Sequence, residues 1–251
     1  PGGVTNVGDA AFAECRQLAS VTLPSGLTGL GPSPFLNCRS LGAIAGPAGV
    51  ASVPEQFCYE CRSLATADLP AGATNIGRAA FFNCFGLTAL TLEGALDTVG
   101  AQAFAGCDGI EKLTFTGGVE SLGAEVFGNC SSLAGVYFLC DEPAAGDDLF
   151  LGADLATVYY LVSPSNWGTT FGGVPAVEWE PEAVGLAATN GAFRIALEWA
   201  DGQAIKVQAC RDLVAPAWED VGTYVTTNGT ASVVDTNWTA TTERFYRFIA
   251  P

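Results

Sequence analysis

From residue 4 to residue 141 the apolar positions return with a period of 23 residues. Val7, Leu30, Val53, Ile76, Val99 and Leu122 form one column. Phe12, Phe35, Phe81, Phe104 and Phe127 form a second, with Cys58 standing in its gap. Leu18, Leu41, Leu64, Leu87, Ile110 and Leu133 form a third, and cysteines at 15, 38, 61, 84, 107 and 130 keep the same spacing. The segments align without gaps: residues 4–26 read VTNVGDAAFAECRQLASVTLPSG and residues 73–95 read ATNIGRAAFFNCFGLTALTLEGA. A fixed period of this length predicts a solenoid of stacked coils.

Inside each coil the pattern L-x-x-V-x-L, as in Leu18, Val21 and Leu23, alternates with period two and predicts a short strand. The stretch from Gly8 to Cys15 is spaced for a helical turn. One coil cannot cover its own apolar side, so coils stack at the inter-strand distance of roughly 4.8 Å. Each buried Leu, Val or Phe then contributes about 1.5–3 kcal/mol. The second coil departs from the pattern, with Gly46 in place of the last strand apolar residue and Pro32 and Pro34 crowding the turn, and a weak strand is expected there.

The pattern I-G-x-x-A-F-x-x-C-x-x-L-x-x-V-x-L-P resembles the BspA-type leucine-rich repeats of bacterial surface proteins over residues 4–143. The resemblance implies a curved right-handed solenoid with a parallel sheet on one face, extracellular display, and binding of proteins or host surfaces. A degenerate seventh coil follows, with Phe150 in the Phe column and LATVYYL at 155–161 echoing LAGVYFL at 133–139. Residues 165–181, with Trp167, Phe171 and Trp179, are similar to a closing segment that covers a last coil. The expected organisation is therefore a leucine-rich-repeat solenoid over 1–181, with six regular coils at 4–141 and a capping coil at 142–181. From 182 to 251 the period stops. Six short alternating runs (GLAATN, AFRIALEWA, AIKVQAC, DVGTYVT, ASVVDT and RFYRFIA), with Asn190-Gly191 and Asp201-Gly202 as hairpin signals, predict a small all-β sandwich. This part is similar to a C-terminal β-module found after repeats in some secreted bacterial proteins, which implies no activity.

Composition narrows the chemistry. The 251 residues carry a formal charge of −16 with only 10 Lys and Arg, so nucleic-acid binding, which leans on phosphate neutralisation, is disfavoured. There is no His, which removes the commonest general base and metal ligand, and no Ser-His-Asp set is possible. No apolar run approaches the roughly 20 residues of a spanning helix, so membrane insertion is not expected. There is no Met, and the chain reads as a piece of a longer precursor whose signal segment lies elsewhere. No enzyme activity, metal or other cofactor is expected.

Candidate sites remain as surfaces. The cysteine ladder spreads along a line, whereas metal ligands converge on a point, so six buried structural thiols are expected. Asp141, Glu142, Asp147, Asp148 and Asp154 lack any known calcium spacing and read as a solvated acidic loop. Arg16, Arg39 and Arg62 form a column that either grips an anionic partner or joins Glu14 and Glu60 in a surface ion-pair strip; the strip is favoured. On the strand face expected to be concave, the residues are small and polar apart from Tyr137, the one contact residue of hot-spot type. Val4 and Val7 in the first coil are candidates for contact with another copy of the chain. Asn129, Asn228 and Asn237 begin glycosylation sequons, relevant only in a eukaryotic secretory route. The functional expectation is an extracellular protein-binding or adhesion module with a protein or cell-surface partner. The alternative is a self-assembling structural protein.

Overall fold

The computed structural model describes residues 3–46, 49–70, 72–92, 94–161, 166–189, 192–211, 216–236 and 244–249. The chain divides into two compact units, Pro1–Glu178 and Trp179–Pro251. The hairpin expected at Asn190-Gly191 turns outside the described residues, as does the sequon at Asn237.

The first unit is a solenoid of parallel strands. One ladder contains Ala43–Ala45, Thr66–Asp68, Ala89–Thr91, Lys112–Phe115, Gly135–Phe138, Thr157–Tyr160 and Val174–Glu178. These are the alternating strands of the 23-residue pattern, in the register Ala43↔Thr66↔Ala89 and Lys112↔Gly135. The repeat shortens to 22 residues at Gly135↔Thr157. A second series of parallel strands, which the apolar pattern did not announce, has Asn6–Val7 paired with Gly29–Leu30 and then a five-stranded sheet of Ser52–Val53, Asn75–Ile76, Leu96–Val99, Val119–Leu122 and Ala144–Ala145. Its inward residues are the Val7 column, so that column belongs to strands too short to show alternation.

The helical turn expected between Gly8 and Cys15 is not a helix. It is a run of tight turns with left-handed residues at Ala10 (φ 50) and Glu14 (φ 61), repeated at Ala79 (φ 51) and Asn83 (φ 56). In a helix each N–H bonds four residues back within its own segment. Here the amides alternate. Those of Ala10, Phe12 and Glu14 donate to the next coil, at Pro32, Pro34 and Leu36, over 2.9, 2.8 and 2.8 Å. Those of Ala11, Ala13 and Cys15 donate three residues back, to Gly8, Ala10 and Phe12. The same alternation recurs at Ala79, Phe81 and Asn83, which donate to Ala101, Ala103 and Ala105. The left-handed residues turn every second amide outward, and the stack thereby gains a third inter-coil ladder.

This pattern also explains the second coil. Pro32 and Pro34 occupy positions whose carbonyls are used across coils, while the donors are the amides of Ser33, Phe35 and Asn37. Proline loses only its N–H, so the turn is not disturbed. The strand there spans three residues, as long as the next two, and is therefore not weak. Gly46 keeps the pairing through its amide, which donates to Asp68 at 2.7 Å. The first coil has less regular pairing on this ladder, with the single bridge Ser20↔Ala43.

The core is built of columns. Phe12 and Phe35 stack with ring centres 5.4 Å apart, and Phe81, Phe104, Phe127 and Phe150 continue at 5.7, 6.1 and 5.2 Å. Cys58 does not leave a hole. Phe57, one residue earlier, contacts Phe35 and Phe81 edge-on at 5.6 and 5.9 Å. At the C-terminal end Trp167 packs 5.2 Å from Phe138 and lies flat on Tyr160 at 5.1 Å, and its indole N–H donates to the Cys140 carbonyl. Phe171 is buried against Phe138. Trp179 falls in the second unit, where its carbonyl accepts the Trp199 indole N–H at 2.8 Å.

In the second unit the six alternating runs are six antiparallel strands in two sheets. The first sheet has the order Glu182–Thr189, Ala192–Glu198, Thr230–Asp235, and the second has Glu219–Val225, Ala204–Cys210, Phe245–Ile249. Alternation places Ile195, Leu197 and Val233 of one sheet and Ile205, Val207 and Ala209 of the other in the core.

Candidate binding surfaces

The strand Gly135–Phe138 turns Val136 and Phe138 inward, where both are fully buried, and leaves Tyr137 on the solvent face. Two features position the Tyr137 ring. A side chain at Gly135 would meet it at 2.7 Å, so the glycine makes room for the ring to lie along its own strand. Tyr159, its register partner on the next strand, stacks on it at 4.7 Å with planes 10° apart. Val177, 40% exposed, pairs beside Tyr159, and Thr114 flanks Tyr137 on the other side with Lys112 next to it. Elsewhere the same face carries the exposed Ser20, Thr22, Ala43, Ala45, Thr66 and Asp68. The apolar ridge is therefore confined to the last coils. The echo of LAGVYFL in LATVYYL already sets Tyr159 in the position of Tyr137, but the residue was not singled out from the sequence as a contact residue.

The arginines are drawn into a surface network. Arg16 contacts Glu14 at 2.8 Å, the Asn37 amide donates to both Glu14 oxygens at 2.8 Å, and Arg39 Nε donates to Asn37 at 2.6 Å. Arg62 contacts Glu60 at 2.9 Å, Arg39 reaches Glu60 at 3.6 Å, and Arg62 sits over the Phe85 ring. The hydrogen bond from Asn37, followed by the one from Arg16, holds the Glu14 carboxyl below its usual pKa. These arginines already have carboxylate partners. In the first coil Val4 is 41% exposed and Val7 is half-buried, with Phe12 exposed on one side of its stack.

The cysteine column has a backbone role. The thiols of Cys38, Cys61, Cys84, Cys107 and Cys130 each donate to a carbonyl 26 residues earlier, at 3.0–3.1 Å. The acceptors are Phe12, Phe35, Cys58, Phe81 and Phe104, so each thiol ties one coil to the one before it. All nine cysteines are free, and Cys15 is exposed. Burial pushes the Cys38 and Cys130 thiols up to about 12 and raises Cys84 and Cys107 as well. Such thiols are poor nucleophiles. The acidic residues 141, 142, 147, 148 and 154 are all exposed, and among the described residues no three His, Cys, Asp or Glu side chains converge as metal ligands.

A family model for the BspA type leucine rich repeat region matches residues 1–92 and 51–169, with six copies. The chain belongs to the BspA-type leucine-rich-repeat family. Among solved structures it is similar to a leucine-rich-repeat protein from Bacteroides ovatus, 24% identical with a TM-score of 0.50 over 64% of this chain. The chain covers 48% of that protein, about half its length. A leucine-rich-repeat protein of T. pallidum is 21% identical, with a TM-score of 0.49 over 61% of this chain and 72% of its own. A leucine-rich cell-surface protein of Faecalibacterium prausnitzii is 18% identical, with a TM-score of 0.28 over 62% of this chain and 70% of its own. No curated protein matches. Membership of the BspA-type family supports a repeat-based protein-interaction module. Among the described residues no helix is long and apolar enough to cross a membrane.

Proposed function

We propose that this BspA-type solenoid is an extracellular protein-binding module whose contact surface centres on Tyr137, Tyr159 and Val177. The observation that carries this reading is the stacked tyrosine pair on an otherwise small and polar sheet face. Tyrosines dominate binding energy at interfaces because they offer large, rigid area with few rotamers to freeze. Stacking the two rings restricts them before any partner arrives, so less entropy remains to be lost on binding. Neither catalysis nor a cofactor is invoked, and the arginine strip lies in the early coils, away from this surface.

The test is binding to a panel of purified extracellular proteins, comparing the chain with its Tyr137→Ser/Tyr159→Ser double variant. A bound protein should lose affinity by about tenfold or more, as hot-spot truncation does. Binding that is unchanged by the double substitution would move the contact surface away from these coils. The same samples address the alternative that the chain assembles with itself. Particles that grow with concentration, and that Val7→Asp returns to single chains, would make another copy the partner.

A further inference from the structure

The runs of tight turns form a face of their own on the solenoid, and their residues fall into columns with the same 23-residue spacing. One column runs Tyr59, Phe82, Ala105, Gly128, Leu151. Tyr59 and Phe82 stack with ring centres 4.9 Å apart, and Phe85, on the same coil as Phe82, is 39% exposed. Three coils further on, Leu151 and Leu155 are 53% and 65% exposed. Ala105 and Gly128 lie between these two apolar ends and present no long side chain that would hold an apposed surface away. Exposed apolar side chains gathered on one face mark a contact surface.

A neighbouring column has the same layout in charges. It runs Arg78, Ala101, Ala124, Asp147. Arg78 and Asp147 are exposed, and among the described residues neither side chain has a hydrogen-bond or ion-pair partner. Cation and acid therefore stand three coils apart, as Phe82 and Leu151 do. A twofold contact brings each such pair together twice, because an isologous surface must complement itself. With a formal charge of −16, most registers between two copies set acid against acid. This one sets Arg78 against Asp147, and Glu125 against the neutral Gln102.

We infer that two copies of the chain join turn face to turn face, antiparallel, about a twofold axis between the coils of Phe104 and Phe127. The axis lies in the contact plane and runs across the coils. A half-turn about it leaves every column facing itself and sets the coil of Phe82 against the partner's coil of Leu151. Arg78 then faces Asp147, Phe82 faces Leu151, and Leu155 faces Gly86, next to Phe85. The contact uses neither the tyrosine ridge nor Val4 and Val7, so it stands apart from the proposed partner surface and from assembly through the first coil.

The experiment is sedimentation velocity of the full chain over a range of concentrations. The mass should rise from one chain to two and no further. Arg78→Glu and Asp147→Lys each set like charges against one another at both ends of the contact, and each should weaken the dimer by about tenfold or more. Both positions are exposed, so both variants fold, which circular dichroism checks. Mixed in equal amounts, the two variants should regain the dimer, because each introduced charge then meets its opposite in the other variant and the native pair forms at the other end. Val7→Asp should leave the dimer intact. A single-chain mass at every concentration, particles larger than two chains, a mixture that stays monomeric, or loss of the dimer in Val7→Asp each overturns the proposal.

Discussion

The solenoid and the sandwich answer the same problem, covering backbone and apolar surface, in opposite ways. In the solenoid one contact is made and then repeated. The turn amides, the Phe stack and the thiol-to-carbonyl bonds recur from coil to coil with nearly constant geometry. A misfit in one coil can be absorbed locally, as Phe57 does for Cys58. In the sandwich the contacts are unique. Asp235 and Arg244, with side chains 3% and 6% exposed, pair at 2.7 Å, and the Tyr246 hydroxyl donates to the same carboxylate at 3.0 Å. Burial, then this carboxylate, push the Tyr246 phenol up to about 12. Repetition spreads risk, while a unique buried pair concentrates it.

The largest effect should come from breaking that pair. Asp235→Ala leaves the buried Arg244 with only the exposed Glu219 carboxylate 3.8 Å away and should cost about 3–5 kcal/mol. The reading is hydrogen exchange at the amides of Ile195 and Val207 in the sandwich core. A loss below about 1 kcal/mol, the size of an exposed pair, would mean that water reaches the site and that the contrast with the solenoid is overstated.

A smaller effect should come from one turn of the repeat. Gly106 has φ +72, and a methyl group there would run into the side-chain oxygen of Asn83. Gly106→Ala should cost about 1–2 kcal/mol from the left-handed backbone, read as a lower melting temperature. The reverse change, Ala79→Gly at φ 51, removes the same kind of strain and should not destabilise by that route. If both changes cost the same, the turn ladder is not controlled by its left-handed residues.

Much of the solenoid was legible because a period multiplies weak signals. Six aligned copies make a column out of residues that would be ambiguous singly, and Phe150 was placed even in a degenerate coil. The features that were misread are those without such support. The Val7 ladder has strands of two residues in its early coils, too short for alternation to register. The spacing from Gly8 to Cys15 suits a helix or a chain of turns equally. The deciding signal was the residue before each column cysteine: Glu14, Asn37, Glu60, Asn83, Gly106 and Asn129. Asn and Gly are the residues that tolerate left-handed backbone. In the sandwich the alternation marked every strand, but nothing in one sequence paired Asp235 with Arg244, because unique contacts leave no period. Tyr137 was legible as a bulky residue on a small polar face; its partner Tyr159 stood in the echo LATVYYL but was not singled out.

The repeat's structural use of its cysteines is tested most directly by counting reactive thiols in the native and unfolded chain. Cys15 should label quickly, and Cys38, Cys61, Cys84, Cys107 and Cys130 should resist, because each thiol is buried and its proton is given to a carbonyl of the preceding coil. In denaturant all nine thiols should react. Rapid native labelling along the column, or fewer than nine thiols after unfolding, would contradict a column of reduced, buried cysteines that tie coil to coil.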